Sequence, residues 1–292
     1  MKLFLIDGTY ELFRSYYGAP SAQSSNGQEV GAVRGWMRSL LALLREEKVT
    51  HIAAAFDHEV ESFRNQLFDG YKTGDGIEPE LFAQFPLVER AAHALGFTIW
   101  PMTDFEADDA LATAAAEWWD HPEVDQVVIC SPDKDMGQCV RGDKVVMLDR
   151  RKKKWINDAG VVEKFGVLPE SIPDWLALVG DAADGIPGIP RWGAKGAAAV
   201  LSRYLHIEDI PRDPVSWKVD VRGKASLAEN LNAMRAEAEL YRTLATLRLD
   251  VPLPETLDEL QWRGARRTEL RDLTAELGDV GILERVSEWM PE

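Results

Sequence analysis

The chain has 292 residues, of which 46% are hydrophobic and 28% charged, and its formal net charge is −16. This is the composition of a globular protein, and because no apolar run approaches the roughly 20 residues that span a bilayer, a membrane partner is not expected. Taken alone, so negative a net charge argues against a nucleic-acid partner, because phosphate binding needs lysine and arginine. Many of the acids lie in a few tight clusters, however, so a nucleic-acid partner stays open.

The first half of the chain alternates predicted strands and helices. Compact apolar runs typical of buried strands are separated by stretches with apolar residues at helical spacing. This alternation favours an α/β fold with a mostly parallel central sheet flanked by helices. In chain order we predict a strand at 2–6, a helix at 30–44, a strand at 51–56, a polar loop or arch at 62–79, a helix at 80–95, a strand at 97–100, a helix at 104–119 and a strand at 126–131.

The pattern changes after about residue 158, where helices are joined by turns rich in glycine and proline. We therefore expect an α/β part at 1–157 and a helical part at 158–292, packed as one unit. A long helix is predicted at 225–247. The basic run 150–154, with apolar neighbours on both sides, favours a β-hairpin whose lysines protect an edge.

Carboxylates follow the predicted strands. Three strands end in an aspartate, and in an open parallel sheet ligands bind outside the carboxyl ends of the strands. The start of the third predicted helix and a Gly-rich turn add further acids. The full set is Asp7, Asp57, Asp133 and Asp135 after strands, Glu106, Asp108 and Asp109 in the first helical turn, and Asp181 and Asp184 beside the turn.

Each acid alone has an ordinary structural explanation, as a helix-dipole partner or a turn residue. Gathered together without compensation, however, so many carboxylates would repel one another strongly. Hard oxygen ligands without histidine or cysteine suit Mg²⁺ or Mn²⁺. Two such ions stabilise the attacking and leaving oxygens of an in-line phosphoryl displacement, so the pattern predicts a metal-assisted phosphodiesterase.

The motifs together resemble those of the 5′ nucleases, meaning flap endonucleases and the 5′→3′ exonuclease domain of bacterial DNA polymerase I. Their order and spacing run with few gaps to about residue 250. The matching stretches are Leu5-Ile-Asp-Gly-Thr9, Arg14, Ala55-Phe-Asp57, Phe63-Arg64, Tyr71-Lys72, Glu106-Ala-Asp-Asp109, Asp133-Lys-Asp-Met136, Leu176-Ala-Leu-Val-Gly-Asp181, Asp184-Gly-Ile-Pro-Gly-Ile-Pro190 and Arg222-Gly-Lys224.

The resemblance implies roles for single residues. It implies that all nine acids surround the metal ions, with Asp57 and Asp108 central to catalysis. It implies an arch at about 58–82, in which Lys72 contacts the scissile phosphate with Arg64 nearby. It also implies a helix-hairpin-helix-like turn at about 180–200 that holds duplex phosphates and a K⁺ ion. The implied substrate-binding residues are Arg14, Tyr71, Gly188, Arg191, Gly193 and Lys195.

The implied activity is that of a stand-alone, structure-selective 5′ nuclease, acting as a 5′→3′ exonuclease and 5′-flap endonuclease on DNA in repair and replication. Branched or 5′-ended DNA is the expected partner, with RNA–DNA hybrid a further substrate, and a monomer is expected. The spacing of Cys130 and Cys139 suits neither a disulfide nor a metal site, which favours the cytoplasm.

Three alternatives stay open at this point. An aspartyl phosphatase with Asp7 as nucleophile would want a second aspartate two residues on, where Thr9 stands. A non-catalytic binder of branched DNA would not need the full set of acids. An acidic-cluster ribonuclease would explain the metal ligands, but such chains rarely contain the helix-hairpin-helix-like turn.

The sequence departs from the family pattern at two places. Asp75 stands where polymerase-linked members carry an arginine, which would weaken the capture of a 5′ strand by the arch. Arg191 and Trp192 replace a glycine and a small apolar residue in the hairpin turn, so we expect a strained turn there.

Overall fold

A computed structural model of the chain describes residues 1–291. These residues contain six β-strands. They are β1 (Lys2–Asp7), β2 (His51–Asp57), β3 (Thr98–Met102), β4 (Gln126–Cys130), β5 (Val145–Asp149) and β6 (Lys154–Ile156).

Twelve α-helices accompany the strands within the same residues. They are α1 (Gly8–Gly18), α2 (Gly31–Glu47), α3 (Phe63–Leu67), α4 (Pro79–Phe82), α5 (Phe85–Ala94), α6 (Ala107–Trp118), α7 (Asp158–Phe165), α8 (Ile172–Val179), α9 (Ala194–Tyr204), α10 (Lys224–Ala233), α11 (Arg235–Ala245) and α12 (Arg267–Glu276).

The chain packs into two compact units. The first unit contains residues 1–60, 74–131 and 249–291, and the second contains residues 61–73 and 132–248. Residues 249–291 thus pack with the sheet of the first unit, whereas the sequence pattern groups them with the helical part. The boundary at residue 157 stays a prediction.

Four parallel strands, in the order β3-β2-β1-β4, form the sheet of the first unit. The register pairs Asp7 with Ala55 and Ile6 with Cys130, so β1, β2 and β4 all finish at one edge. Residues 3–6 are fully buried, as expected of a parallel strand covered by helices on both faces. The predicted α/β fold with a mostly parallel sheet is confirmed.

Helix α6 lies directly on this sheet because its inner face is made of small residues. Ala110 and Ala114 are fully buried, and the helix contacts all four parallel strands. Since α6 follows β3 along the chain, its N-terminus lies at the carboxyl edge of the sheet. This packing brings the acids of its first turn to the ends of β1 and β2.

The second unit is mainly helical. Strands β5 and β6 form an antiparallel hairpin in which Asp149 pairs with Lys154, which confirms the predicted hairpin. Helices α8 and α9 flank the Gly- and Pro-rich turn, and α8 packs against α11. Ile172 and Leu176 of α8 are buried in this core.

Two predicted helices are interrupted in the structure. The predicted helix at 80–95 divides into α4 and α5, because Pro86 has no N–H to donate to the preceding turn. The predicted helix at 225–247 divides into α10 and α11 at Met234, whose φ of −126° leaves the helical region. No glycine or proline marks this second break, but Asn230 and Asn232, residues of low helix propensity, lie just before it.

The implied helical arch at 58–82 has little helix. Only α3 and α4 are helical there, and residues 68–78 between them are irregular. This segment contains Gly70, Gly74 and Gly76, and glycine lowers the stability of a helix interior by about 1 kcal/mol relative to alanine.

Among residues 1–291, no helix has both the length and the apolar character that a membrane span requires.

Candidate active site

Asp7 ends β1 in a fixed orientation at the edge of the sheet. Its side chain is the N-cap of α1, where Oδ1 accepts a hydrogen bond from the Tyr10 amide at 2.8 Å. Its Oδ2 accepts a hydrogen bond from the Ser131 hydroxyl, also at 2.8 Å. Asp7 is only 5% exposed, so these donors hold a buried carboxylate.

Asp57 ends β2 and connects that strand to helix α6. Its Oδ1 accepts a hydrogen bond from the Ala107 amide at the start of α6, at 2.8 Å. Its own amide donates to the Thr9 hydroxyl at 2.8 Å. Asp57 is half-buried, and its position brings the end of β2 next to the acids of the α6 N-terminus.

The first turn of α6 carries three of the predicted ligands. Glu106 and Asp109 are buried and form a reciprocal capping box, in which the Glu106 amide donates to Asp109 Oδ2 at 3.0 Å. Acids in a first helical turn also favour the helix dipole. Asp108, one residue into the helix, is half-buried. The predicted ligand role of Asp109 therefore competes with a structural one.

Asp133 and Asp135 form the carboxylate pair of the second unit. Each offers an oxygen that lies within 4.8 Å of the other. Burial raises the pKa of Asp135 well above its usual range, and the charges of Asp133 and Asp184 raise it further, while Lys72 opposes the shift. Because a divalent cation would relieve this crowding, the pair suits a metal ion.

Two lysines pair with the remaining predicted metal ligands of the second unit. Lys72 Nζ lies 3.0 Å from Asp184 Oδ1, and the Lys72 amide donates to the Asp184 carbonyl at 3.0 Å. Asp181 is 4% exposed and forms an ion pair with Lys134. The predicted phosphate-contacting lysine and a predicted metal ligand are thus direct neighbours.

Sequence reasoning missed three residues that hold the site acids. Thr9 and Ser131 bind strand-end aspartates through their hydroxyls, and Lys134 pairs with Asp181. A positional signal existed for each of them. Thr9 lies in the Asp-Gly-Thr motif, Ser131 directly follows β4, and Lys134 lies between two predicted ligands.

Arg64 is buried in the second unit and binds backbone carbonyls there, so its predicted role near the scissile phosphate stays a prediction. It is 1% exposed, and its Nε donates to the Leu244 carbonyl at 2.8 Å. Its Nη2 donates to the Thr246 carbonyl at 3.1 Å, and its guanidinium stacks on the Phe63 ring. Arg64 therefore satisfies carbonyl groups at the C-terminal end of α11, where a cation is favourable.

Two other predicted substrate-binding residues are also engaged within the protein. Arg14 pairs with the buried Glu11 and donates to Ser39 Oγ at 2.6 Å. Tyr71 is 5% exposed, and Lys72 Nζ lies 5.7 Å from the centre of its ring. Tyr71 thus lies against Lys72. The predicted contacts of Arg14 and Tyr71 with substrate stay predictions.

The hairpin turn between α8 and α9 is well defined. The Trp192 amide donates to the Ile189 carbonyl at 3.0 Å, and Arg191 at the third position has a φ of +70°. This left-handed conformation is unfavourable for arginine, as the departure from glycine predicts. Trp192 is buried, and its indole donates to the Leu227 carbonyl at 3.0 Å.

Three further predicted residues surround this turn. Gly188 has a φ of +72°, and a Cβ there would lie 2.6 Å from the Gly180 nitrogen, so the backbone requires glycine. Gly193 is the N-cap of α9, and a Cβ there would meet open space. Lys195 is exposed in the first turn of α9. Backbone amides and a lysine therefore face solvent at this helix N-terminus, which suits an anion.

Two sequence models of one nuclease family match the chain. The model of the 5′-3′ exonuclease N-terminal resolvase-like domain matches residues 2–166, and that of the 5′-3′ exonuclease C-terminal SAM fold matches residues 167–268. The chain belongs to the 5′-3′ exonuclease family. This result confirms the resemblance inferred from the motifs.

Curated relatives of this 5′-3′ exonuclease family member include DNA polymerase I of Bacillus caldotenax, which is 33% identical over 98% of the chain and 32% of its own length. DNA polymerase I of Rhizobium leguminosarum is 36% identical over 88% of the chain and 26% of its own length. The chain thus spans about a third or less of these polymerases.

Solved structures share the fold of this 5′-3′ exonuclease family member at low identity. T5 5′-exonuclease with bound zinc ions is 19% identical, with a TM-score of 0.68 over 98% of this chain and 96% of that one. The catalytic core of Rad2 in complex with DNA is 14% identical, with a TM-score of 0.60 over 95% and 88%. Human GEN1 in complex with Holliday junction DNA is 13% identical, with a TM-score of 0.61 over 95% and 68%.

Proposed function

We propose that this chain is a divalent-metal-dependent 5′ nuclease that hydrolyses DNA phosphodiesters, acting as a 5′→3′ exonuclease and a 5′-flap endonuclease. The observation that carries the proposal is the placement of Asp7 and Asp57 at the carboxyl edge of a parallel sheet, beside the acidic first turn of α6. In a member of the 5′-3′ exonuclease family, such a carboxylate edge supports metal-assisted phosphodiester hydrolysis.

The side chains that would hold divalent cations fall into one set in each unit. All are oxygen donors, and this chemistry suits Mg²⁺ or Mn²⁺ better than a soft metal. Bound there, two or more such ions would supply Lewis-acid stabilisation of the attacking and leaving oxygens. The proposed ligands are Asp7, Asp57, Glu106, Asp108 and Asp109 in the first unit, and Asp133, Asp135, Asp181 and Asp184 in the second.

Lys72 is proposed to stabilise the charge that grows on the phosphate during cleavage. Its ammonium is paired with Asp184 and lies against the Tyr71 ring, which limits the positions it can take. An ammonium held in place before reaction stabilises developing charge without reorganisation. When a phosphate approaches, it would share Lys72 with Asp184.

The hairpin turn is proposed to hold the duplex by its backbone. Gly193, Lys195 and the exposed Arg191 present amides and positive charge at the N-terminus of α9, with K⁺ as a further bound ion. Contacts of this kind with phosphates position a duplex without reading its bases. Branched and 5′-ended DNA, with RNA–DNA hybrid as a further substrate, is accordingly the proposed partner of a monomeric enzyme acting in the cytoplasm.

A cleavage assay on matched substrates tests this proposal. The purified chain is incubated with 5′-labelled flap, nicked, blunt and RNA–DNA substrates, with Mg²⁺, with Mn²⁺ or with excess EDTA. We expect cleavage near the 5′ end of DNA with either metal and none in EDTA. Flap binding without cleavage at any metal concentration would favour the non-catalytic binder. Cleavage confined to RNA strands would favour the ribonuclease.

A further inference from the structure

A run of five basic residues, Arg150-Arg-Lys-Lys-Lys154, forms the turn of the β5–β6 hairpin, and we refer to residues 150–154 as the basic hairpin. Residues 151–154 are all exposed. In a chain with a net charge of −16, so dense a positive patch contrasts with the rest of the surface. The proposed catalytic residues do not account for it.

Acidic neighbours neutralise only part of the basic hairpin. Lys154 pairs with Glu163 at 3.0 Å, and Lys152 lies 3.5 Å from Asp149 although its side chain is 72% exposed. Within residues 1–291, neither Arg151 nor Lys153 forms an ion pair with a carboxylate. The hairpin therefore keeps net positive charge that an external anion can use.

Further lysines extend this positive charge towards the acids of the second unit. Lys164 Nζ donates to the Pro132 carbonyl at 3.1 Å, directly before Asp133. Helix α7, which contains Lys164, packs against β6 of the hairpin. Lys164 thus lies on a helix that contacts the hairpin, and it forms a hydrogen bond with the segment that carries the proposed metal ligand Asp133.

The turn that presents these charges has a defined geometry. Asp149 Oδ1 accepts a hydrogen bond from the Lys152 amide at 3.0 Å, which fixes the loop as an Asp-initiated turn. Lys153 has a φ of +52°, a conformation that favours glycine, yet a lysine occupies it. Trp155, directly after the run, is 40% exposed and offers an aromatic face beside the lysines.

We propose that the basic hairpin, continued by Lys164, binds consecutive phosphates of the DNA duplex next to the cleaved end. The inference rests on the proposed function for its ligand. Because Lys164 lies on the helix that packs against β6 and donates to the carbonyl before Asp133, positive charge continues from the hairpin to the place where a substrate phosphate is expected. Binding to a membrane surface or to an acidic protein would not require positive charge that continues from the hairpin to Asp133. Basic side chains along a phosphate chain supply affinity that is independent of base sequence.

The first experiment compares two triple variants with the same change in net charge. One is Arg151→Ala/Lys152→Ala/Lys153→Ala in the basic hairpin. The control removes three exposed basic residues of the first unit, Arg45, Lys48 and Arg271, also by alanine. Binding to a fluorescent 5′-flap duplex is measured by anisotropy at several salt concentrations with Ca²⁺ in place of Mg²⁺, and single-turnover cleavage is measured at saturating DNA.

We expect the hairpin variant to bind roughly 10-fold more weakly at low salt, with a slope of log affinity against log salt smaller by about 0.9 for each phosphate that the variant no longer binds. Its single-turnover rate at saturating DNA should equal the parental rate, and the control should keep both the affinity and the slope. Equal binding by the hairpin variant and the parental chain overturns the proposal. A parental chain that neither binds nor cleaves DNA rejects the proposed function itself.

A single variant separates a structural role of the turn from a binding role. Lys153→Gly removes one charge but supplies the residue that a φ of +52° favours. The melting temperature should therefore stay level or rise while DNA affinity falls. A melting temperature that falls together with affinity would assign Lys153 to the fold and contradict the proposal.

The position of the hairpin on DNA is read by affinity cleavage. Cys130 and Cys139 are both buried, so a Lys153→Cys variant takes a tethered iron–EDTA reagent at the hairpin. Strand cuts confined to a few nucleotides of the duplex beside the cleaved end are expected. Cuts scattered along the DNA, or hairpin-dependent binding to phosphatidylserine vesicles with unchanged DNA binding, would overturn the assignment.

Discussion

The two units of this chain hold their acids by different means. In the first unit, hydrogen bonds from backbone amides and hydroxyls orient the carboxylates, as the Tyr10 amide and the Ser131 hydroxyl do for Asp7. In the second unit, lysines pair with two of them, Lys134 with Asp181 and Lys72 with Asp184.

This difference has a chemical consequence. A neutral donor fixes a carboxylate and leaves its full charge for a cation, whereas an ammonium compensates the charge in place. We therefore expect a cation to bind Asp7 and Asp57 alongside their neutral donors, and to compete with lysine for the acids of the second unit. Burial, together with the charges of Asp133 and Asp184, raises the pKa of Asp135 in the second unit.

The largest effect is expected at Asp57. Asp57→Asn keeps an oxygen that can accept from the Ala107 amide but removes the charge, so the fold should persist while single-turnover cleavage falls by about 10³-fold or more. The exposed Asp120→Asn serves as the control. Parental cleavage by Asp57→Asn would show that the oriented carboxylates of the first unit do not serve metal binding.

Lys72→Ala should have the next largest effect. If the ammonium acts on charge that grows in the transition state, turnover at saturating DNA falls by roughly 10²-fold while the dissociation constant changes little. Lys72→Arg, which keeps the charge, should recover part of the rate. Losses of equal size in affinity and in rate would reduce Lys72 to an ordinary phosphate contact.

Lys134→Met should lower stability rather than catalysis alone. It leaves the carboxylate of Asp181, 4% exposed, without its lysine, so the free energy of unfolding in EDTA should fall by roughly 1–3 kcal/mol. Urea titration measures this. The deficit should shrink as Mg²⁺ is added, and in the double variant Lys134→Met/Asp181→Asn. A deficit that neither change reduces contradicts the expected competition between a cation and lysine.

The smallest effect is expected at Ser131. Ser131→Ala removes a neutral donor to Asp7 while the Tyr10 amide remains, so the free energy of unfolding should fall by about 1 kcal/mol. Ser131→Thr, which keeps a hydroxyl, is the matched variant. If Ser131→Ala costs more than Lys134→Met, the distinction between neutral and charged partners is wrong.

The sequence predicted the framework of this molecule well. Strand-terminal aspartates and buried apolar runs are local patterns, so the parallel sheet and the acids at its edge follow from chain order alone. The family was also visible in motif order. These predictions depend on the periodicity of apolar residues and on the direction of parallel strands, and the details of side-chain packing hardly affect either.

The partners of charged side chains could not be predicted. Arg64 matches a basic position of the family motif, yet its burial against the end of α11 depends on residues about 180 positions away in sequence. From sequence, Lys134 is a lysine between two predicted ligands, and only the folded structure shows that it pairs with Asp181. The break at Met234 was likewise not predicted, because no glycine or proline marks it.

Trp192 gives the hairpin turn an optical probe. Its indole is buried and hydrogen-bonded to the Leu227 carbonyl, and its ring lies 6.1 Å from that of Trp217. Indole emission responds to changes in nearby polarity and hydrogen bonding. With Trp217 replaced by phenylalanine, the difference spectrum between that variant and its Trp192→Phe derivative isolates one chromophore. Movement of the turn during DNA capture can then be followed in real time without attaching a dye.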